Sequence, residues 1–263
     1  MSTQGKGSRS GLPDFLIIGP PRTGTTSLHF QLANHVGVQP PVFLHGLRSK
    51  ELHFFDVNYL AGIEWYMQHF PQPKTDKLYF ESTPDYIFDP KVPWRIQKWM
   101  PDCKFIVSLR NPVDRAWSEY YFYWMPLYGM SIENLYDSID IVTEDMPEVK
   151  KIPMTDKSYH RLLQGGLYAK MLERWFGIFE SEQFCILKSE DFYADPKSTI
   201  HQLCEFLGIS RMTLDKYEMF DPLKNVRGAE YPACPRILKE QLEHFYKPYN
   251  DKLKDMIGVK WND

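Results

Sequence analysis

The sequence predicts one α/β domain with a central, mostly parallel sheet flanked by helices. Three largely apolar runs, at residues 15–18, 104–109 and 184–188, lack the alternation of polar and apolar residues that marks a half-exposed strand. Such runs are typical of strands that are buried on both faces of a parallel sheet. Helical patterns lie between them, and this alternation favours a sheet with helices on both sides.

Length and composition agree with a single domain. The 263 residues fit one large domain more readily than two small ones, and a hydrophobic content of 43% can fill its core. Residues 1–12 are polar and lack the apolar segment of a signal peptide, so we expect a flexible tail followed by the domain at residues 13–263. No apolar run approaches the roughly 18 residues that a membrane span requires. We therefore expect a cytoplasmic protein without a membrane partner.

Charge and cysteine spacing argue against two further classes of protein. The net charge of −3 and the pI near 6.3 are unlike those of a general nucleic-acid binder, which carries a basic face. The four cysteines show neither a Cys-x-x-Cys pair nor the spacing of zinc ligands. We expect reduced thiols and no metal site.

The first apolar run leads into a loop that suits an anion. Gly19 and two prolines end the strand, Arg22 and Gly24 follow in the loop, and a helical pattern starts near Thr25. Backbone N–H groups of such a loop and the positive end of the helix dipole favour negative charge. The loop is not a Walker A motif, because Thr25 stands where that motif has its lysine. The alternative is an ordinary strand, turn and helix with spare hydroxyl groups.

The second apolar run ends at Arg110. This residue follows the carboxyl end of a buried strand, where open α/β sheets bind ligands. Asn111 suits the cap of the next helix, and Pro112 suits its first position. Ser118 lies about two turns into that helix and reaches the same place only if it faces back.

Residues 50–56 interleave ionisable groups with apolar ones. If the segment is extended, Glu51, His53 and Phe55 share one side. Apolar neighbours would partly desolvate the ionisable groups and shift their pKa values, as at many catalytic sites. The alternative is a half-buried edge with solvated charges.

The remaining elements complete the alternating pattern. We expect short strands near residues 37–43 and 78–81, and helices near residues 90–100, 167–179, 200–207 and 235–256. An aromatic stretch at residues 121–130 precedes six carboxylates without Lys or Arg at residues 131–149. We interpret that acidic run as a solvated helix and loop.

Together these stretches resemble the sulfotransferases that use 3′-phosphoadenosine-5′-phosphosulfate (PAPS), and among them the glycosaminoglycan enzymes most closely. Residues 15–28 are similar to the loop for the 5′-phosphosulfate, and residues 110–118 to the 3′-phosphate site. Residues 50–56 resemble the Glu-x-His-Phe-Phe-Asp segment of heparan sulfate 3-O-sulfotransferases, and residues 166–175 and the Arg227-Gly228 loop also fit. The resemblance covers most of the chain and implies a P-loop-like sulfotransferase fold.

The resemblance also implies roles for the matching residues. Glu51 takes the place of the proposed catalytic base, with His53 as the alternative, and Arg22 takes the place of the catalytic cation. The implied cofactor-binding residues are Arg22, Thr23, Gly24, Thr25, Thr26, Ser27, Arg110, Ser118, Tyr168, Arg227 and Gly228. PAPS is the implied donor of the sulfuryl group, and no metal is implied.

Two departures from the family pattern bear on the acceptor. Ser82 stands where the heparan sulfate 3-O-enzymes carry a second lysine, and the C-terminal loop lacks their bridged pair of cysteines. The chain is also net acidic, whereas a sulfated polysaccharide requires a basic groove. We therefore predict a neutral or cationic small acceptor with a hydroxyl or amine group. A glycan is the alternative, favoured if Lys150, Lys151, Lys157 and Arg161 line a basic cleft.

Two functions from other classes remain as rivals. A P-loop small-molecule kinase requires a lysine at the position of Thr25 and a carboxylate for magnesium, and the sequence offers neither clearly. A nucleotide-binding module without catalysis is the second rival, and Glu51 and His53 beside the anion-binding loop count against it.

Overall fold

The sheet of the predicted α/β domain is present. The computed structural model describes residues 11–42, 50–71, 75–141, 158–211 and 232–261. In these ranges five strands, β1 to β5, form one parallel sheet: Phe15–Ile17, Val38–Gln39, Leu78–Ser82, Lys104–Leu109 and Phe184–Lys188. The predicted fold class is therefore confirmed, although β2 is shorter than the expected strand at residues 37–43.

Helices connect and cover these strands. In the described ranges they are α1 to α11: Thr25–Ala33, Ile63–Met67, Val92–Trp99, Pro112–Glu119, Met125–Tyr128, Ile132–Ile141, Ser158–Gln164, Tyr168–Phe176, Ser189–Ala194, Pro196–Leu207 and Arg236–Ile257. One turn of π-helix, Tyr120–Trp124, joins α4 to α5. The helices predicted near residues 90–100, 167–179, 200–207 and 235–256 correspond to α3, α8, α10 and α11.

The central strand β1 is buried on both faces. Leu16 and Ile18 contribute to one apolar cluster, which also contains side chains of α3 and α8. Phe15 and Ile17 contribute to the other cluster, together with side chains of α1 and α10. Each of these four side chains has no exposed surface. Alternate residues of an apolar run thus serve two cores, which explains why the run shows no polar alternation.

A third cluster joins α4, α7 and α11 beside the sheet. At its centre the fully buried Arg115 donates hydrogen bonds to Glu119 and to the carbonyl oxygen of Leu162. Two glycines, Gly165 and Gly166, close the turn after α7. A Cβ atom at these positions would lie 2.6 Å from Arg115 Cζ and 2.5 Å from Tyr246 Cε1, respectively. Close packing therefore requires both glycines.

Strand order fixes the edge at which a ligand can bind. The order is β2-β3-β1-β4-β5, so the chain moves to opposite sides of β1 when it forms β3 and β4. The loops after β1, β3 and β4 leave the same carboxyl edge of the sheet, at the position where α/β folds bind ligands.

The start of the domain and the state of the cysteines can be compared with the predictions. Leu12 is buried in the core, although it falls in the predicted tail, and residues 1–10 lie outside the described ranges. The start of the domain thus stays a prediction. The four cysteines have free thiols, and no helix in the described ranges has the length and apolar character to cross a membrane.

Candidate active site

The loop between β1 and α1 is fixed by close backbone contacts. A Cβ atom at Gly19 would lie 2.9 Å from the carbonyl oxygen of Ser108 in β4, so glycine is required there. Gly24 precedes α1 with a φ of 87°, which glycine adopts without steric cost. Arg22 has a φ of 73°, a conformation that is sparsely populated for arginine and tends to occur at functional sites.

The side chains of the loop divide into buried and accessible ones. The hydroxyl of Thr23 donates to the carbonyl oxygen of Pro20 at 2.8 Å and has no exposed surface. Thr25 and Ser27 are also buried, whereas Thr26 is exposed at the start of α1. The first N–H groups of α1 have no partner within the helix and supply donors for an anion.

Arg22, Ser118 and Arg110 come together at this loop. Arg22 Nε donates to Ser118 Oγ at 3.0 Å, so Ser118 does face back from the second turn of α4. Arg110 Nη1 lies 3.4 Å from the carbonyl oxygen of Arg22. The guanidinium of Arg22 also lies over the ring of Phe122, 4.0 Å from the ring centroid. Three of the predicted site residues, distant in sequence, thus form one cluster.

Arg110 is supported from behind by Tyr168. The Tyr168 hydroxyl donates to the carbonyl oxygen of Arg110 at 2.7 Å, and the side chain is 1% exposed. Burial raises the pKa of Tyr168 well above its usual value, so the phenol keeps the proton that it donates. Asn111 caps α4 as predicted, since its side-chain oxygen accepts from the backbone N–H of Val113 at 2.9 Å. The hydroxyl of Tyr168 thus fixes the backbone of Arg110 through a hydrogen bond.

The segment at residues 50–56 is not extended, so the condition under which Glu51, His53 and Phe55 would share one side is not met. Glu51 and His53 have φ values of 63° and 51°, and Phe55 is fully buried in the core. The reason is a set of bonds to the end of β3. The backbone N–H of Glu51 donates to the carbonyl oxygen of Ser82 at 2.9 Å, and that of His53 lies 3.3 Å from Thr83 Oγ1.

Glu81 is a residue of the site that the sequence analysis did not single out. It has no exposed surface, and its Oε1 accepts from the backbone N–H of Leu52 at 3.2 Å. Tyr66 donates to its other oxygen at 3.1 Å. Burial raises the pKa of Glu81 despite these hydrogen bonds. A carboxylate in an otherwise apolar strand was the signal that could have identified it.

The charged groups of this segment are paired. Lys50 forms an ion pair with Glu51, and the lysine side chain is 10% exposed. His53 Nδ1 lies 2.8 Å from Asp56 Oδ2. Burial lowers the pKa of His53, but the hydrogen bond and charge of Asp56 outweigh this effect and raise it to about 8. His53 is therefore mostly protonated at pH 7.

Residues of the π-helical turn face both parts of the site. A π-helical turn has hydrogen bonds between residues five apart in sequence, whereas an α-helix has them between residues four apart. The side chains of Tyr120–Trp124 therefore point in other directions than they would if α4 continued as a regular α-helix. Phe122 lies under Arg22, and the next residue, Tyr123, is 41% exposed. Burial and the negative charges of Glu51 and Asp85 raise the pKa of Tyr123, whereas the charge of Arg22 lowers it. Charges of both the anion-binding loop and the Glu51 segment therefore act on Tyr123.

Comparison with known proteins identifies this combination of elements. The profile of the sulfotransferase domain family matches residues 12–254. The chain belongs to the sulfotransferase family. The sulfotransferase domain therefore accounts for most of the sequence, and the predicted family is confirmed.

The curated relatives of this sulfotransferase domain include heparan sulfate enzymes. The heparan sulfate glucosamine 3-O-sulfotransferase 3B1 of Mus musculus is 31% identical over 97% of this chain. The bifunctional heparan sulfate N-deacetylase/N-sulfotransferase 1 of Caenorhabditis elegans is 26% identical over 94% of it. The chain spans 65% of the length of the first relative and 30% of the second.

Among solved structures, a sulfotransferase from Alicyclobacillus acidocaldarius shares the fold. It superposes with a TM-score of 0.73 at 24% sequence identity, and the match covers 95% of this chain and 97% of that one. A sulfotransferase domain from the curacin biosynthetic pathway is more distant, with a TM-score of 0.55 and 15% identity over 91% of this chain.

The side chain of Ser82 is buried in the sulfotransferase domain. Ser82 has no exposed surface, and its hydroxyl lies 2.8 Å from His29 Nδ1. Burial and the nearby positive charge of Lys50 lower the pKa of His29 to about 3, so His29 is neutral. Lys50, from the neighbouring segment, is the cation whose charge acts on His29 beside Ser82.

Several residues with predicted roles in the site lie outside the described ranges. Arg227 and Gly228 lie outside the described ranges, as do Lys150, Lys151 and Lys157. Arg161 is described, and it forms an ion pair with Asp85. Within the described part of the chain, no group of three potential metal ligands is found.

Proposed function

We propose that this domain transfers a sulfuryl group from PAPS to a hydroxyl or amine of an acceptor, with Glu51 as the base. The observation that carries the proposal is the convergence of Arg22, Ser118 and Arg110 at the carboxyl edge of the sheet, with the Glu51 segment attached to the neighbouring strand. Membership of the sulfotransferase family supports PAPS as the donor.

The residues of the cluster fit a nucleotide donor that carries phosphate groups at the 3′ and 5′ positions of its ribose. Arg110 and Ser118 supply a guanidinium and a hydroxyl for the 3′-phosphate, and the loop with the start of α1 supplies N–H donors for the 5′-phosphosulfate. Tyr168 acts in this proposal as a support of Arg110. The family resemblance implies that Arg227 and Gly228 close over the nucleotide, and both residues lie outside the described ranges.

Arg22 is suited to stabilise the leaving group. When bound, PAPS supplies the activated sulfuryl group, which is transferred in line through a loose transition state, as in phosphoryl transfer. Negative charge then develops on the bridging oxygen, and a cation fixed beside it lowers the barrier. The contacts of Arg22 with Ser118 and Phe122 hold its guanidinium in one orientation.

Glu51 suits the role of base better than His53. A base must accept a proton, and His53, with a pKa of about 8, already carries one at neutral pH. Glu51 is partly exposed, and its negative charge acts on Tyr123. Its ion pair with Lys50 engages Oε1, and the second carboxylate oxygen, Oε2, can accept the proton.

For the acceptor we propose a neutral or cationic small molecule. The described charges on this side are matched, because Lys50 contacts Glu51 and Arg161 contacts Asp85. The exposed ring of Tyr123 lies within electrostatic range of Glu51, Asp85 and Arg22. Such a rim offers a polyanion little net attraction. A glycan acceptor is the second candidate, supported by the names of the curated relatives.

Thermal shift tests the donor. We expect adenosine 3′,5′-bisphosphate alone to raise the melting temperature, because a ligand that binds the native state stabilises it. ATP with magnesium should have a smaller effect. Stabilisation by ATP and magnesium alone would instead support the rival kinase, and stabilisation without turnover of any acceptor would support the nucleotide-binding module.

Competition with heparin tests the acceptor class. We expect heparin to leave turnover of a small acceptor, found in a mass-shift screen with PAPS, nearly unchanged. Tight binding of heparin that disappears on raising the salt concentration would contradict this expectation, because it indicates a basic groove.

A further inference from the structure

The chain after α11 returns to the site. Trp261, three residues beyond the glycine that ends this helix, donates from Nε1 to Glu190 Oε2 at 3.1 Å. Its ring centroid lies 5.8 Å from that of Tyr168. Both partners belong to elements next to β4 and β5, so the C-terminal segment contacts the part of the domain that carries Arg110.

Glu190 uses its second oxygen on the loop after β4. Its Oε1 accepts from the backbone N–H of Asn111 at 2.7 Å. One carboxylate of α9 therefore bridges Trp261 and the residue that directly follows Arg110. Hydrogen bonds to a charged acceptor are stronger than those between neutral groups.

The peptide group between Arg110 and Asn111 is consequently held at both ends. Its carbonyl oxygen accepts from Tyr168 at 2.7 Å, and its N–H donates to Glu190 at 2.7 Å. Since a peptide group is planar, two bonds on opposite sides fix its orientation. That orientation sets the direction in which the Arg110 side chain leaves the backbone. Trp261 contacts both of the residues that hold this peptide.

We propose that Trp261 is a positioning residue for the contact of Arg110 with the 3′-phosphate of the donor. This inference rests on the proposed function of Arg110. The indole N–H holds the Glu190 carboxylate in the orientation that grips Asn111, and the indole ring limits the movement of Tyr168. Loss of the N–H leaves Glu190 able to turn away, so Arg110 samples more orientations and binds the phosphate less well.

Trp261→Phe tests this role, because it keeps an aromatic ring and removes the N–H. We expect it to weaken binding of adenosine 3′,5′-bisphosphate by about three- to tenfold, a fraction of a charge-assisted hydrogen bond. Binding of adenosine 5′-monophosphate, which lacks the 3′-phosphate, should stay the same. Turnover at saturating PAPS should also be unchanged. Calorimetry with the two nucleotides gives the comparison.

Two further variants make the result specific. Glu190→Gln should shift the preference between the two nucleotides in the same direction, since the amide cannot accept from both partners equally well. Trp94→Phe is the matched control, because Trp94 is 61% exposed on α3, and it should bind both nucleotides normally. Unchanged binding of the bisphosphate by Trp261→Phe, or equal weakening of both nucleotides, overturns the proposal.

Arg110→Ala in the same assay separates this inference from the proposed function. If Arg110→Ala loses the preference for the bisphosphate and Trp261→Phe keeps it, the positioning role alone is wrong. If Arg110→Ala keeps the preference, the assignment of the 3′-phosphate site is wrong and the role of Trp261 fails with it.

Discussion

The side proposed for the donor (Arg22, Arg110 and Ser118) and the side proposed for the acceptor (Lys50, Glu51, His53 and Arg161) differ in how their charges are paired, although both lie at the same edge of one sheet. On the donor side, Arg22 and Arg110 make described contacts with neutral groups: a serine hydroxyl, an aromatic ring and a carbonyl oxygen. On the acceptor side, Lys50, His53 and Arg161 each contact a carboxylate.

This difference indicates what each side can bind. The described partner of the Arg110 guanidinium is a neutral carbonyl oxygen, which orients it without cancelling its charge, so Arg110 can attract anions. Ion pairs cancel most of their field at a distance, so shape and hydrogen bonding dominate on the acceptor side. The following predictions test whether the two sides are as separate as their contacts indicate.

The largest effect is expected for Glu51→Gln. The substitution keeps the volume and removes the proton acceptor, so turnover should fall by about 10²- to 10⁴-fold. Binding of adenosine 3′,5′-bisphosphate should not change, because Glu51 belongs to the acceptor side. Steady-state kinetics and calorimetry on the same preparation give both quantities. His53→Ala is the comparison: near-normal turnover of Glu51→Gln with an inactive His53→Ala would reverse the two roles.

Arg110→Ala should affect the donor side alone. A lost charge-assisted contact of roughly 1.5–3 kcal/mol corresponds to about ten- to hundredfold weaker binding of PAPS. A donor without the 3′-phosphate, adenosine 5′-phosphosulfate, should bind as before, and the Michaelis constant of the acceptor should be little changed. Equal weakening of both donors would show that Arg110 does not recognise the 3′-phosphate.

His53 should make stability depend on pH. Its pKa in the folded protein is about 8, above the ordinary value of 6.5, so the folded state binds the proton more tightly than the unfolded state. The resulting stabilisation is complete below pH 6.5 and is lost as the pH rises through 8; it amounts to at most about 2 kcal/mol. Urea unfolding at pH 6 and pH 9 measures it.

Two variants locate that effect. His53→Asn should remove this part of the loss of stability between the two pH values, and Asp56→Asn should reduce it, because the carboxylate that raises the pKa is gone. The assignment to His53 fails if His53→Asn and the wild-type protein lose the same free energy of unfolding over this range.

The smallest expected effect is that of salt. Because the donor side acts through charge, raising sodium chloride from low to moderate concentration should increase the Michaelis constant for PAPS by about two- to fivefold. The Michaelis constant for a neutral acceptor should change much less, because the described charges on its side are paired. A larger salt effect on the acceptor than on PAPS would contradict the comparison.

The donor side could be predicted largely from the sequence because its signals are local. An apolar run, a glycine at a turn and a helix cap each determine a short piece of structure, and a parallel sheet brings the ends of β1 and β4 together. Even the orientation of Ser118 follows once Asn111 caps α4. These are features in which local preference and the overall fold agree.

The acceptor side could not be predicted in the same way. Glu51 and His53 adopt left-handed conformations that no glycine or asparagine in residues 50–56 indicates. Hydrogen bonds between this segment and the end of β3 impose these conformations. One of these hydrogen bonds joins the backbone N–H of Leu52 to Glu81, a residue distant in sequence. The π turn that brings Phe122 and Tyr123 towards Arg22 also leaves no clear signal among so many aromatic residues.

Gly165 and Gly166 have a consequence for how this domain can change by mutation. With guanidinium and ring atoms 2.6 Å and 2.5 Å from where a Cβ atom would lie, even alanine would push apart α4, α7 and α11. Random mutagenesis for new acceptors would therefore lose variants with substitutions at this turn, because they would not fold. Tyr123 is exposed and can be exchanged at much lower cost to folding, so the proposed acceptor side is where new specificities can arise.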